Sequence, residues 1–141
     1  MRAAIAIVAL VLGACSDDSF TGLTPAEYNG EFRLVSVNEG SLPAAVETSW
    51  IQGTLVSGEL LIDFDTNYWM TFNVFQPGVG TTVVQARGNA IPDETGGGIS
   101  FVGGDNNVQW VGVRTDTTIV IPDLRGLHVV FRRVGNYKSP S

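Results

Sequence analysis

Few side chains in this 141-residue chain have the chemistry to do more than fold. There is one cysteine, Cys15, and one histidine, His128. A single cysteine excludes a disulfide framework and a cysteine-based zinc site, and a single histidine excludes multi-histidine metal centres. His128 is the one imidazole available to activate a serine or threonine. It alternates with the apolar Leu127, Val129 and Phe131, which points it away from the core, and no Gly-x-Ser-x-Gly elbow precedes it. Asp63-x-Asp65-x-Asn67 has the spacing of the first ligands of a D-x-[DN]-x-[DN]-G calcium loop. Tyr68 stands where that loop needs Gly, and Val74 where it needs Glu. The stretch reads instead as the outward face of a strand running into a hairpin. The two aspartates are alternate residues of one strand, whereas acid–base pairs flank their substrate from separate elements. Gly96-Gly97-Gly98 is followed by neither a helix start nor Lys-Ser/Thr, so it is not a phosphate loop. Arg87 and Arg125 read as surface charges. These observations predict a protein that is not an enzyme and carries no metal and no cofactor.

Composition points the same way. The chain is 44% hydrophobic and 16% charged, with 17 glycines and a net charge of −6. About 25% charge is usual for a soluble domain. The length fits one domain. The acidic balance, with eight Lys and Arg, leaves no electrostatic footprint for nucleic acid.

The first 14 residues, MRAAIAIVALVLGA, do not belong to the fold. Arg2 supplies a short positive start, and an apolar run follows from Ala3 to Leu12. A membrane-spanning helix needs about 20 such residues, whereas a signal-peptide core needs fewer. Leu12-Gly13-Ala14-Cys15 then resembles the lipobox of bacterial lipoproteins, with the chain's one cysteine at the position the motif requires. The resemblance implies cleavage before Cys15, a diacylglycerol thioether on its sulfur and acylation of the new amine. Several acyl chains anchor a protein stably where one does not. Ser16 after the cysteine implies, by the same resemblance, sorting to the outer membrane. Residues 16–23 form a polar, acidic tether that reaches ~26 Å at most, so residues 15–23 keep the domain near the lipid.

From there the chain reads as strands. Thr24-Pro25-Ala26-Glu27 has the grammar of a helix start, and Asn29-Gly30 stops it after one turn. Period-2 patterns and turn residues then predict nine runs: 31–37, 50–56, 59–64, 68–75, 81–90, 99–102, 108–113, 117–121 and 127–133. A loop with Asn38, Gly40 and Pro43 follows the first. Ser57-Gly58, Asp65-Thr66-Asn67, residues 103–107 and residues 123–126 separate later runs. Links this short connect antiparallel neighbours. Leu60, Ile62 and Phe64 share one face of their run, and Tyr68, Met70, Phe72 and Val74 share one face of theirs. Trp69 and Phe75 lie on the opposite face and are candidates for an exterior contact surface. One apolar face per strand fits an all-β, antiparallel up-and-down barrel of about eight strands.

The two ends of this domain resemble the calycins, and among them small lipocalin-like bacterial lipoproteins. The short turn at 24–28 precedes Gly30-Glu31-Phe32, where the family has Gly-x-Trp, and Arg132 or Arg133 ends the last strand. Phe32 for Trp departs from the pattern: it keeps the stacking surface and loses the indole donor. The resemblance covers residues 24–134, with 135–141 as a tail. It implies that one of the two arginines lies over Phe32 and closes the barrel base, with the first and last strands as neighbours.

Two functions are expected from these readings. The first is a lipid-anchored barrel of the bacterial envelope that binds a small apolar ligand. Its candidate lining is Leu60, Ile62, Phe64, Met70, Phe72, Val84, Phe101 and Trp110, which carries almost no charge. The alternative is a solid barrel that acts as a structural or interaction module and contacts an envelope protein through its outside. Both share the anchor. Cys15→Ser is expected to release the protein from membranes or leave it unprocessed, as read by membrane fractionation and mass; normal cleavage and membrane retention would overturn the lipoprotein reading.

Overall fold

The computed structural model describes residues 29–93, 97–103, 107–115 and 117–136. Residues 1–28, with Cys15, the tether and the expected helical turn, lie outside the described residues, as do 137–141. The described chain is all β. Its strands are β1 Gly30–Val37, β2 Ala44–Glu47, β3 Gln52–Ile62, β4 Asn67–Gln76, β5 Gly80–Pro92, β6 Gly98–Val102, β7 Val108–Arg114, β8 Thr118–Leu124 and β9 Leu127–Gly135. Each pairs antiparallel with its neighbours, and β1 pairs with both β9 and β3, which closes eight strands into a barrel. Closure satisfies backbone groups that an open sheet would leave at its edges.

The extra strand, β2, was not expected: its residues fall in the stretch read as a loop after β1. It shares the lane of β1. Residues 30–33 of β1 pair with 59–62 of β3, and β2 pairs with 52–55 farther along the same strand. The sequence patterns also divided β3 into two runs with a turn at Ser57-Gly58. The structure joins them. The register shifts between Leu55 and Ser57, so a bulge stands where a turn was predicted. Gly58 is there because two side chains approach the backbone: a Cβ at this position would lie 2.9 Å from both Leu34 and Phe72. A glycine in a strand marks close approach as readily as it marks a turn.

Inward residues fill the barrel. Phe32, Leu55, Leu60, Ile62, Met70, Phe72, Phe101, Ile119, Ile121, Val129 and Phe131 have no measurable exposure. Tyr68 meets Phe101 edge to face at 5.0 Å, and Phe72 meets Phe131 at 6.2 Å. Aromatic pairs at such spacings add to what their burial alone contributes. One member of the predicted lining is corrected. Phe64 is 63% exposed. It follows the end of β3, where Asp63 folds the chain into a turn, so the strand's alternation no longer governs it. Asp63 Oδ1 accepts from the backbone N–H groups of Asp65 (2.9 Å) and Asn67 (2.8 Å), and Oδ2 accepts from the Asn67 amide at 3.0 Å.

Gly58→Ala is expected to cost about 1–3 kcal/mol by overpacking Leu34 and Phe72, seen as a lower urea midpoint. Ser57→Ala beside it, at an exposed position, should stay within about 0.5 kcal/mol of the parent.

Candidate functional site

Three places concentrate side chains beyond plain core packing: the two ends of the barrel and one outer face. At the base, Phe32 of β1 is opposite Arg133 of β9. The Arg133 guanidinium lies 5.8 Å from the centre of the Phe32 ring. Its Nη1 donates to the Asn29 carbonyl at 2.9 Å and its Nη2 to Asn136 Oδ1 at 3.2 Å. Gly30 makes room for it, since a Cβ there would come within 3.1 Å of the guanidinium. Arg132 is exposed and pairs in register with Arg33. Alternation separates the two arginines: Phe131 is inward, so Arg133 shares its side and Arg132 does not. A second guanidinium, that of Arg114, lies 5.7 Å from the same ring, and Arg114 is buried. It was not singled out in the sequence, yet it alternates with Trp110 and Gly112 along one side of β7.

At the opposite end an aromatic cap closes the core. Trp50, just before β3, meets Phe72 edge to face at 5.8 Å and Trp110 at 5.8 Å. Arg125 reaches over both indoles from the β8–β9 turn, 5.1 Å from the Trp50 ring and 5.8 Å from the Trp110 ring. Its Nη2 donates to Gln109 Oε1 at the long distance of 3.5 Å. Arg125 holds a left-handed backbone (φ 51°), and Gly126 N–H donates to Asp123 Oδ1 at 2.8 Å, so the turn that aims the guanidinium is itself pinned. Trp110 is buried, and its Nε1 has no hydrogen-bond partner among the described residues. Burial pushes the Tyr68 phenol up to about 12, against the pull of the Arg125 charge. On the inward side of β5, Val84 and Ala86 are only partly buried against the core.

The outer face centres on Trp69. Across the sheet it is in register with Leu61 on β3 and Arg87 on β5. A surface groove of about 350 Å³ runs along Trp69, Thr71, Gln85 and Arg87. Phe75, farther along β4 on the same face, is 43% exposed. In the next row Glu59 is in register with Arg33 and Thr71. Partial burial raises the Glu59 carboxyl, a hydrogen bond and like charge from Glu31 raise it further, and Arg33 lowers it.

The remaining predicted chemistry takes structural positions. His128 is half-buried, donates its backbone N–H to Asn38 Oδ1 at 2.9 Å, and its ring Nδ1 has no hydrogen-bond partner among the described residues. The Asp63 carboxylate is spent on its own turn. Of the predicted lining, Leu60, Ile62, Met70, Phe72, Phe101 and Trp110 come together inside the barrel as packed core, and Val84 stands at its margin. Trp50 and Arg125 form the cap with Trp110. The sequence hides this pairing because they lie 75 positions apart, Trp50 at the start of an expected strand run and Arg125 in an expected turn.

Arg133→Met is expected to cost ~0.5–2 kcal/mol, the range of a cation–π contact, while Arg132→Met stays within about 0.5 kcal/mol; urea unfolding of the two variants checks both. For Tyr68 the folded state favours the neutral phenol. Its contribution to stability is therefore whole below pH about 10 and falls as the pH rises toward 12. Unfolding midpoints measured across that range should drop, and Tyr68→Phe should flatten the drop. No protein-family model matches this chain, and neither any curated protein nor any solved structure matches it significantly.

Proposed function

We propose that this is a lipid-anchored, non-enzymatic barrel of the bacterial outer membrane, solid inside, that works as an interaction module through its outer surface. The observation that carries this reading is the filled interior. Leu60, Ile62, Phe72 and Phe101, the side chains that would line a calyx, have no exposure and pack on one another. A ligand there would have to displace core side chains, each of which stabilises the fold by about 1.5–3 kcal/mol through burial. The outside offers what the inside lacks. Trp69 and the exposed Phe75 lie on one face with Arg87, and aromatic residues with arginine are the types that dominate protein–protein contacts. The anchor rests on the Leu12-Gly13-Ala14-Cys15 motif, which places the domain within a tether's length of the membrane, where an envelope protein is the natural partner.

A second reading, a small apolar ligand, is favoured by the half-buried Val84 and Ala86 at the margin of the core. One comparison separates the two. The protein is incubated with an envelope lipid extract and examined by native mass spectrometry, and envelope crosslinking is run on the parent and on Trp69→Ala. The interaction reading expects no retained lipid and a crosslinked species that Trp69→Ala reduces. A stoichiometric bound lipid with unchanged crosslinks would replace it with the ligand reading.

A further inference from the structure

The barrel wall has two unlike sides. In the ring of eight strands β7 stands four places from β3, diametrically across. The β3 side is polar: Glu59 and the exposed Ser57 are there, and Asn73 of β4 donates to Ser57 Oγ at 2.8 Å. The β7 side is aliphatic. Trp110, Gly112 and Arg114 share the inward side of β7, so Val111 and Val113 point outward, 55% and 48% exposed. Register carries the pattern onto the neighbouring strands. Val113 pairs with Val120 of β8, Val120 with Val130 of β9, and Val130 with Ser36 of β1. Val111 pairs with Ser100 of β6, and Ser100 with Ile91 of β5, which is 51% exposed. Paired side chains on one face are close neighbours, so these form one aliphatic band. Contiguous exposed apolar surface marks a contact site, where single valines do not. Charge is sorted in the same way. Strands β6 to β9 contain one acidic residue, Asp123, whose carboxylate is held by Gly126 N–H in the β8–β9 turn. Asp93 lies beside Gly98 at the base rim. Between these two rims the described residues of the wall include no acid, and Arg132 is exposed at the next outward position after Val130.

We infer that this wall lies against the surface of the lipid bilayer. The inference rests on the anchor at Cys15 proposed above, and it concerns a different side of the barrel from Trp69. Three observations favour lipid as the occupant. The first is reach. From Cys15 to Gly30 the chain spans at most roughly 50 Å, and the strand it enters, β1, borders the band at Ser36. The second is the sorting of charge. The chain carries a net −6, and an anionic headgroup surface repels its acidic sides and admits the side without acids. The third is Arg132. A second copy set face to face on this wall would offer it no acid, whereas lipid phosphates supply the counter-charge. The valines and Ile91 then rest at the boundary of headgroups and acyl chains, as the apolar face of an interfacial helix does. With β7 on the lipid, Trp69 on β4 stands three strands round the ring and is turned away from the membrane.

The test uses the full chain, extracted from its membrane and reconstituted in vesicles of phosphatidylethanolamine and phosphatidylglycerol that carry a nitroxide high on an acyl chain. Val111→Cys or Ser57→Cys supplies a thiol for a polarity-sensitive fluorophore. The label at 111 should emit farther to the blue than the label at 57 and be quenched about threefold more strongly, as befits a group at the headgroup–acyl boundary. Val113→Asp, at an exposed position, should bring the quenching at 111 down to the level seen at 57. Ser57→Asp should leave the quenching at 111 unchanged. Tryptophan emission like that of the parent shows that the variants fold. Mass spectrometry reads the anchor separately, since a lipidated Cys15 leaves one thiol to label and an unmodified one leaves two. Two labels per chain, with 111 still the more strongly quenched, overturn the anchor and leave the wall. Equal quenching at 111 and 57 overturns the wall, whatever the number of labels. So does quenching at 111 that Val113→Asp leaves intact.

Discussion

Everything in this molecule depends on closing a sheet around a volume that its own inward side chains can fill. In an eight-stranded barrel the interior is just wide enough for that. Once β1 pairs with both β9 and β3, the alternation along each strand sorts residues into one interior and one exterior. Phe32, Tyr68, Phe72, Phe101 and Phe131 come from four different strands and occupy that interior together. Removing closure would expose all of them at once. The lock on closure is local: Phe32 and Arg133 sit opposite each other across the β1–β9 seam, and the guanidinium holds the Asn29 carbonyl just ahead of β1.

The two ends of the barrel solve the same problem with the same chemistry. A cylinder of side chains must be capped where its strands stop, and a wholly apolar cap would meet water. At the base Arg114 and Arg133 lie over Phe32; at the other end Arg125 lies over Trp50 and Trp110. A guanidinium covers an aromatic face with its plane and keeps its N–H groups for hydrogen bonds, which a lysine ammonium does less well. Arg133 and Arg125 both cover a ring and donate hydrogen bonds, while Arg132 and Arg33 remain on the surface.

The functional reading follows from that filling. Because the interior is used up in making the fold stable, the proposed interaction rests on the outside, on the row of Leu61, Trp69 and Arg87. β5 is long where β6 is short, and the β4–β5 hairpin therefore carries both a partly apolar outer face and an edge that no described strand pairs along residues 80–88. An antiparallel barrel that closes fully has no such edge; this one keeps a short length of it.

The sequence by itself determined the strand periodicity, the antiparallel neighbours and the all-β barrel, because alternation and turn chemistry are local properties. Its resemblance to the calycins also set Phe32 against Arg132 or Arg133, and the structure selects Arg133. The sequence misled where one residue type serves two purposes. Gly58 has the signature of a turn and is a close approach inside β3, and Phe64 continues an alternation that Asp63 has already ended with its own turn. Only the tertiary structure decided that Leu60, Ile62, Phe72 and Phe101 leave no open calyx, since filling depends on how side chains from distant strands meet in a fixed volume. It alone brought Trp50, Trp110 and Arg125 together and, among the described residues, paired residues 80–88 of β5 with β4 but not with β6, because strand length relative to the next strand is a property of the closed barrel and not of either segment.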